Sequence, residues 1–212
     1  MNKKLKNISD FDPKFIYWVD ENLKRFYDIY FEKNSVLMYW VLTENLKTFL
    51  DKYMSELKLR LTLKNNKNFS ESPQRKNLII ASGDYLYMDC GFGNKYGDKT
   101  WCGDYKTWKH IYKINLLEKY GLFDIIGSQI VLFSELSDEY NVIGKVFPRA
   151  FSLAEKLWNY EYTKSIDEEK IKMLFVKIIE HNKRLNFRGV ESISITSVLC
   201  EENVKVCIDE VK

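Results

Sequence analysis

The sequence predicts an α/β protein built on a parallel sheet. Short apolar segments of strand length alternate along the chain with amphipathic segments of helical spacing, which is the pattern of repeated strand–helix units. Polar and aromatic side chains gather where several of these apolar segments end. About four units are present and no second copy of the pattern follows, so they form either a small open sheet or the second half of a larger structure.

Four segments are predicted to be strands because they are short, apolar and bounded by polar or turn-forming residues. They are SVLMYW (35–40), KLRLTL (58–63), NLIIAS (77–82) and GSQIVLFSE (127–135). The first is continuously apolar, as expected of a strand that is buried on both faces. The second carries a lysine and an arginine, which are unusual in a buried strand.

The helices are predicted from apolar residues that recur at intervals of three and four. They cover residues 12–33, 42–57, 106–115, 147–158 and 165–189. In the last helix Ser165 and Glu168 have capping-box spacing, and Gly189 is the expected carboxyl-terminal glycine. Its apolar stripe comprises Ile171, Leu174, Phe175, Ile178 and Leu185. The polar segment 64–76 is predicted to be a loop.

Charge and hydropathy exclude several classes of protein. The net charge is +3 and the lysines are scattered, so the sequence gives no case for nucleic-acid binding. No apolar run has the length of a membrane span, and no apolar segment follows the basic start as a signal peptide would require. The sequence shows no metal-ligand spacing and no nucleotide-binding loop, so we predict no metal and no cofactor.

The four cysteines form two local pairs. Cys90 and Cys102 are 12 residues apart, and Cys200 and Cys207 are 7 residues apart in the polar tail CEENVKVC. Neither pair has zinc-site spacing, which favours two disulfides and an oxidising compartment. The alternative is four free thiols in a cytosolic protein. The chain also contains two N-glycosylation triplets, Asn7-Ile8-Ser9 and Asn68-Phe69-Ser70.

Candidate ligand-binding residues lie at the ends of the predicted strands. They are Trp40, Tyr87, Asp89, Phe133 and Glu135. In barrels made of parallel strands, functional groups collect at the carboxyl ends of the strands, where a ligand meets them. The alternative for Tyr87 and Asp89 is a rim residue and a turn acid without a ligand.

Four motifs in succession carry a resemblance to a known family. DYLYMDCGFG (84–93), WCGDYKTWKHIY (101–112), SQIVLFSELSD (128–138) and FPRAFSLAEKLW (147–158) resemble glycoside hydrolase family 20, and most of all its fungal and insect β-N-acetylhexosaminidases. The resemblance runs from about Ser35 to Cys207 and implies disulfides Cys90–Cys102 and Cys200–Cys207.

The family fold is a (β/α)8 barrel, and the resemblance places this chain on its carboxyl-terminal half. Residues 1–212 would then be a partial catalytic domain. Within it, residues 35–160 would carry barrel strands five to eight, and residues 161–212 the terminal helix and a tail with a cysteine loop.

The resemblance also implies a chemistry and roles for the candidate residues. The family removes terminal N-acetylglucosamine or N-acetylgalactosamine from glycans and chitin oligomers by a substrate-assisted retaining mechanism, in which the acetamido oxygen of the sugar attacks the anomeric carbon. Tyr87 would hydrogen-bond the acetamido carbonyl, Asp89 would hold the O6 or O4 hydroxyl, and Glu135 would accept from O4. Trp40 would line the sugar pocket, and Phe133 would form an apolar wall where the family has a tryptophan.

The sequence departs from the family at the catalytic acid. The motif His-x-Gly-Gly-Asp-Glu is absent, and the Asp-Glu pairs at 20–21, 138–139 and 209–210 do not follow a strand with preceding glycines. The segment GGE of the family is GSQ here, and KLRLTL lacks the tryptophan of strand six. Because general acid catalysis contributes about 10²- to 10⁴-fold, we expect the chain alone to be nearly inactive.

These observations define the function expected. We expect the carboxyl-terminal half of a β-N-acetylhexosaminidase whose complete form is extracellular, lysosome-like or otherwise in the secretory pathway. Since half a barrel exposes strand edges, it would need its missing half, a second copy or another chain. The alternatives are a non-catalytic relative that binds sugar or acts as a subunit, and an unrelated small α/β protein. A reading frame upstream of Met1 that encodes the missing acid motif would favour the first over the second.

Overall fold

The computed structural model describes residues 14–20, 35–64, 75–92, 100–116, 119–208 and 211. The chain divides into two compact units, which are described separately below. One comprises residues 1–82 and 116–127, and the other residues 83–115 and 128–212. Both glycosylation triplets and the Asp-Glu pair at 209–210 lie outside the described residues.

The first unit contains a five-stranded sheet. Its strands are β1 (Phe15–Val19), β2 (Ser35–Tyr39), β3 (Lys76–Ile80), β4 (Lys119–Tyr120) and β5 (Phe123–Ser128), in the spatial order β1-β2-β3-β5-β4. β2 is parallel to both β1 and β3, and β4 forms an antiparallel pair with β5. Leu37 of β2 lies opposite Tyr17 on one side and Leu78 on the other. The parallel strand–helix organisation predicted from the sequence is therefore confirmed in this unit.

Helix α1 (Thr43–Lys64) lies between β2 and β3 in the chain and packs on the sheet. All of β2 is buried. The face of α1 that carries Phe49, Leu50 and Tyr53 is buried as well, at the spacing of one helical stripe. The ring of Phe49 lies 5.1 Å from that of Tyr39, and the ring of Tyr53 lies 4.8 Å from that of Phe123. These contacts join the helix to β2 and β5.

The first predicted helix, residues 12–33, is wrong in its described part. Phe15–Val19 is strand β1, paired residue by residue with β2. The segment FIYWV consists of aromatic and β-branched residues, which favour a strand, and the helical spacing of Ile16 and Val19 arose by coincidence over so short a stretch. Residues 21–34 lie outside the described part of the chain.

The predicted strand KLRLTL is also wrong, because α1 continues through it to Lys64. No glycine or proline separates it from the preceding helix, and leucine, lysine and arginine are strong helix formers. Three leucines that alternate with polar residues give a strand pattern, but the segment is too short to exclude a helix. The segment forms a helix because it continues one that has already begun.

The second unit is mainly helical. Its helices are α2 (Gly83–Leu86), α3 (Trp108–Tyr112), α4 (Val142–Val146), α5 (Arg149–Trp158), α6 (Tyr160–Thr163), α7 (Glu168–Phe187), α8 (Val198–Glu202) and α9 (Val204–Cys207), with a 3₁₀ turn at Ser134–Leu136. The predicted strand 127–135 is wrong over most of its length, because β5 covers Phe123–Ser128 and shares only Gly127 and Ser128 with it. Beyond β5, Val131 forms a single parallel bridge to Tyr87.

Helix α7 contributes one buried apolar face to the core of the second unit. Its residues Ile171, Leu174 and Ile178 are buried against Tyr112 of α3, as the predicted stripe requires, and Phe175 is buried beside them. The carboxyl-terminal glycine is confirmed, with φ of +77° at Gly189. The predicted capping box is wrong, because the side chain of Asp167 caps the helix by accepting from the Lys170 backbone N–H at 2.9 Å. Asp167 directly precedes the first residue of the helix, whereas Ser165 lies two residues too early to cap it.

A disulfide links the two short helices at the carboxyl-terminal end. Cys200 and Cys207 are bonded to each other across α8 and α9, as predicted. None of the described helices is both long and apolar enough to cross a membrane.

Candidate functional site

The candidate site forms where the chain leaves α2. Tyr87 lies in extended backbone and exchanges hydrogen bonds with the segment that carries Phe133: Val131 N–H donates to Leu86 O at 2.9 Å, and Met88 N–H donates to Val131 O at 2.7 Å. Because neighbouring residues of two parallel extended segments lie side by side, this short pairing places Tyr87 and Asp89 beside Phe133.

Tyr87 is the most enclosed of the candidate residues. Its side chain is only 3% exposed, and its ring makes edge contacts with the rings of Trp101 and Phe133, with centroids 5.6 and 5.3 Å away. Its hydroxyl is buried and has no hydrogen-bond partner among the described residues. Leaving a buried hydroxyl without a partner costs about 1–3 kcal/mol. A bound acceptor that takes this hydrogen bond would remove that cost.

Asp89 is a buried acid whose charge acts on this hydroxyl. One of its oxygens, Oδ1, accepts from the backbone N–H of Phe133 at 3.3 Å. Burial and, to a lesser extent, the negative charge of Asp89 raise the pKa of Tyr87 to about 12. Tyr87 therefore remains protonated at physiological pH and can act as a hydrogen-bond donor.

A disulfide and a glycine hold the loop that follows Asp89. Cys90 is bonded to Cys102, as predicted, and this bond links the loop to Trp101. Gly91 has φ of +82°, and a Cβ there would lie 2.7 Å from the Cβ of Tyr105 and overlap its backbone. Glycine is therefore required at position 91 both by its backbone conformation and by the close approach of Tyr105.

Arg149, at the start of α5, connects the segments that carry Met88, Lys106 and Lys145. The sequence did not identify it as a site residue. Its guanidinium is 2% exposed and donates to the carbonyls of Met88 (2.7 Å), Lys106 (3.1 Å) and Lys145 (3.1 Å). It also stacks over the ring of Tyr105 at 4.5 Å. Burial lowers its pKa, whereas the charge of Asp89 acts in the opposite direction. The sequence feature that could have indicated this role is the position of the arginine directly after Pro148, within the motif FPRAFSLAEKLW.

The remaining candidates have different surroundings. Glu135 lies in the 3₁₀ turn two residues after Phe133, and its carboxylate is exposed. Trp40 directly follows β2 in the first unit and is partly buried. The structure thus brings Tyr87, Asp89 and Phe133 into contact and adds Trp101, the first residue of the motif WCGDYKTWKHIY. The roles given to these residues stay predictions.

The parallel sheet with strand–helix crossovers defines an α/β protein of the class in which ligands bind beyond the carboxyl ends of the strands. The particular family follows from direct comparison. Residues 2–161 match the model of glycosyl hydrolase family 20, catalytic domain, and the chain belongs to this family.

Individual relatives agree with this assignment. The chain is 33% identical over 135 residues to the chitooligosaccharidolytic β-N-acetylglucosaminidase of Ostrinia furnacalis, covering 61% of this chain and 21% of that protein. It is 25% identical over 156 residues to β-hexosaminidase 1 of Coccidioides posadasii, covering 61% of this chain and 26% of that protein. The chain therefore spans about a quarter of the length of the curated relatives it matches.

Solved structures show the same fold. The β-N-acetylhexosaminidase of Streptomyces coelicolor superposes with a TM-score of 0.52 at 16% identity, covering 79% of this chain and 31% of that one. An exo-β-N-acetylglucosaminidase from Vibrio harveyi gives a TM-score of 0.52 at 11% identity, over 85% of this chain and 25% of that one. The predicted fold, part of a (β/α)8 barrel, is confirmed.

Proposed function

We propose that this chain carries part of the sugar-binding face of a β-N-acetylhexosaminidase that removes terminal N-acetylglucosamine or N-acetylgalactosamine from glycans or chitin oligomers. The observation that supports it is the Tyr87 hydroxyl, which is buried, protonated and without a partner beside Asp89. Such a donor fits the acetamido carbonyl of an N-acetylated sugar. The hydrogen bond would strengthen as that oxygen becomes the nucleophile of the substrate-assisted retaining mechanism.

The neighbouring groups would complete the binding of the sugar. Asp89 uses only Oδ1 for the Phe133 backbone N–H, so its other oxygen would accept from a sugar hydroxyl. The rings of Phe133 and Trp101 would form apolar walls. Both rings are exposed on their outer sides, and a sugar would reach the covered Tyr87 hydroxyl when one of them turns outward.

The chain does not carry the family's acid motif, and we propose that it does not hydrolyse its ligand by itself. The described pair Asp138-Glu139 has a structural role instead. Asp138 Oδ1 accepts from the backbone N–H groups of Tyr140 at 3.0 Å and Asn141 at 3.1 Å, which fixes a turn. A non-catalytic relative that binds sugar is the alternative, favoured by the same absence of the motif.

Binding of N-acetylglucosamine to the purified chain tests this proposal. We expect Tyr87→Phe to weaken binding by up to about tenfold, since a neutral hydrogen bond contributes about 0.5–1.5 kcal/mol. The melting temperature should stay equal or rise, because the variant loses an unpartnered buried hydroxyl. Both quantities can be measured on one sample by NMR titration and thermal denaturation.

The matched control is Tyr112→Phe. Tyr112 is another buried tyrosine of the same unit, and burial raises its pKa to about 12 as well, but it is not among the candidate site residues. Its replacement should leave the affinity unchanged. Equal affinities for Tyr87→Phe and the wild type would refute the role of Tyr87. Release of chromophore from a chromogenic N-acetylglucosaminide that Tyr87→Phe abolishes would refute the proposed inactivity.

We further propose that residues 1–212 are a partial catalytic domain, with the barrel strands before residue 160 and a terminal helix and cysteine loop after it. The end of the family match at residue 161 supports this division. We also propose that the complete protein belongs to an oxidising compartment, because both cysteine pairs are bonded. Four thiols that react with an alkylating agent in the natural protein without a reductant would contradict this.

The edge of the sheet formed by β1 supports the proposal of a protein partner. β1 is the outer strand of the described sheet, and Ile16 and Trp18 on it are exposed. Exposed apolar edge strands pair readily with further strands, and we propose that a second copy of the chain covers β1. Sedimentation of the purified chain should show a dimer that Trp18→Lys weakens, whereas Tyr140→Lys, an equally drastic change at an exposed ring of the second unit, should not. A monomer at all concentrations would exclude the second copy.

A further inference from the structure

A cleft of about 640 Å³ lies within the second unit, between α4 and the segment that follows α7. Its lining includes Phe92, Tyr140, Asn141 and Asn186, together with Glu191 and Ser192. Its volume falls in the range of about 300–1,000 Å³ that small-molecule sites occupy. None of Trp40, Tyr87, Asp89, Phe133 and Glu135 lines it, so the cleft is separate from the candidate site described above.

Both walls of the cleft are held by local hydrogen bonds. On one side the Asp138 turn fixes the backbone of Tyr140 and Asn141, and Asn141 Oδ1 accepts from Asp138 N–H at 3.3 Å in return. On the other side the Asn186 side chain accepts from the Ser192 backbone N–H at 2.9 Å across the turn at Gly189. The cleft is therefore preformed, which lowers the entropic cost of binding.

The charges in the cleft do not suit an anion. Lys145 is the cation of the lining, but its ammonium donates to Leu136 O and to Ser137 Oγ (3.3 Å). The same ammonium lies 5.2 Å from the centre of the Phe92 ring, so it is already engaged by groups of the protein. Glu191 adds an exposed carboxylate to the lining. A phosphate or carboxylate ligand would be repelled by this negative charge, while the lysine of the lining already donates to other groups.

Two further features indicate a ligand rich in hydroxyl groups. The ring of Tyr140 is 88% exposed at the cleft, and Phe92 and Ile193 add apolar surface. Ser192 is only 8% exposed, and its hydroxyl is buried without a partner among the described residues. Flat apolar surface with a carboxylate, two amides and an unsatisfied hydroxyl is the combination that matches the ring faces and hydroxyl groups of a sugar.

We infer that this cleft is a second saccharide-binding site, which takes a short neutral oligosaccharide. One sugar ring stacks on Tyr140, and its hydroxyl groups donate to Glu191. Rotation of the Ser192 side chain toward the cleft gives its hydroxyl the partner it lacks. The inference rests on the cleft itself and is independent of the role proposed for Tyr87.

Titration of the purified chain with N,N′-diacetylchitobiose, followed by NMR, tests the inference. We expect saturable shifts of the amides around Tyr140 and Ser192, and a loss of affinity of about tenfold in both Tyr140→Ala and Glu191→Gln. Gly144→Val should also weaken binding. A Cβ at this position already lies 2.9 Å from Ile193 Cγ2, so the larger side chain would fill the cleft.

Two controls separate this site from the rest of the molecule. Trp158→Ala removes another ring that is 88% exposed but lies outside the cleft, and it should leave these shifts unchanged. Tyr87→Phe should leave them unchanged as well, whatever it does to N-acetylglucosamine binding. No saturable shift at these amides in the folded wild type, or equal affinity in wild type and Tyr140→Ala, would overturn the inference.

Discussion

Arg149→Met should lower the free energy of unfolding by about 3–5 kcal/mol, because a hydrogen bond from a charged donor contributes about 1.5–3 kcal/mol and this buried guanidinium makes several of them. Methionine fills much of the same volume but leaves the carbonyls of Met88, Lys106 and Lys145 without their shared donor. It also removes the positive charge of the guanidinium, which the negative charge of Asp89 stabilises. Urea denaturation of the two proteins measures the difference.

The control for this prediction is Arg184→Met. Arg184 is an exposed residue of α7, and its guanidinium lies 3.9 Å from the Glu180 carboxylate in a surface pair. Surface pairs of this kind contribute about 0–1 kcal/mol, so the variant should unfold close to the wild type. A loss for Arg149→Met no larger than that for Arg184→Met would show that Arg149 does not hold the loop around Asp89.

Gly91→Ala should lower the free energy of unfolding by more than about 3 kcal/mol. A residue with a Cβ costs about 1–2 kcal/mol in the left-handed region, and the new Cβ would overlap the backbone of Tyr105. The disulfide Cys90–Cys102 restricts how far the loop can move to relieve the overlap. The additional cost therefore comes from displacing Tyr105 and the Arg149 guanidinium stacked on it.

Gly103→Ala separates the two contributions to this cost. Gly103 has nearly the same backbone angle, with φ of +84°, but a Cβ there meets no atom within 4 Å. It should therefore lose only about 1–2 kcal/mol. Thermal and urea unfolding of the two alanine variants, measured side by side, give the comparison. Equal losses would mean that the approach of Tyr105 does not restrict position 91.

The elements that the sequence predicted well are those with strong local patterns. The continuous apolar run of β2 predicts a strand that is buried on both faces, and the apolar stripe of α7 marks the one face of that helix that is buried. The pairing of neighbouring cysteines was equally accessible, since each pair is close in sequence.

The errors fell where one short pattern satisfies two structures. FIYWV has helical spacing in the sequence but lies in a strand, and KLRLTL has strand alternation but lies in a helix. Pairing with β2 decided the first, and continuity with the preceding helix decided the second. Arg149 was missed because a single arginine carries no periodic signal, and its importance depends on three carbonyls that lie far apart in the chain.

By itself, the amino-acid sequence determined the α/β class of this protein, its strongest elements β2 and α7, and, through motifs that resemble the family, its family membership. Class and elements follow from residue type and spacing, and the family follows from the order of the motifs. Only the tertiary structure decided that Tyr87, Asp89 and Phe133 touch, that the Tyr87 hydroxyl lacks a partner, and that a buried arginine supports their loop. Burial and hydrogen bonding depend on segments that are distant in sequence, and no local pattern encodes which of those segments will meet.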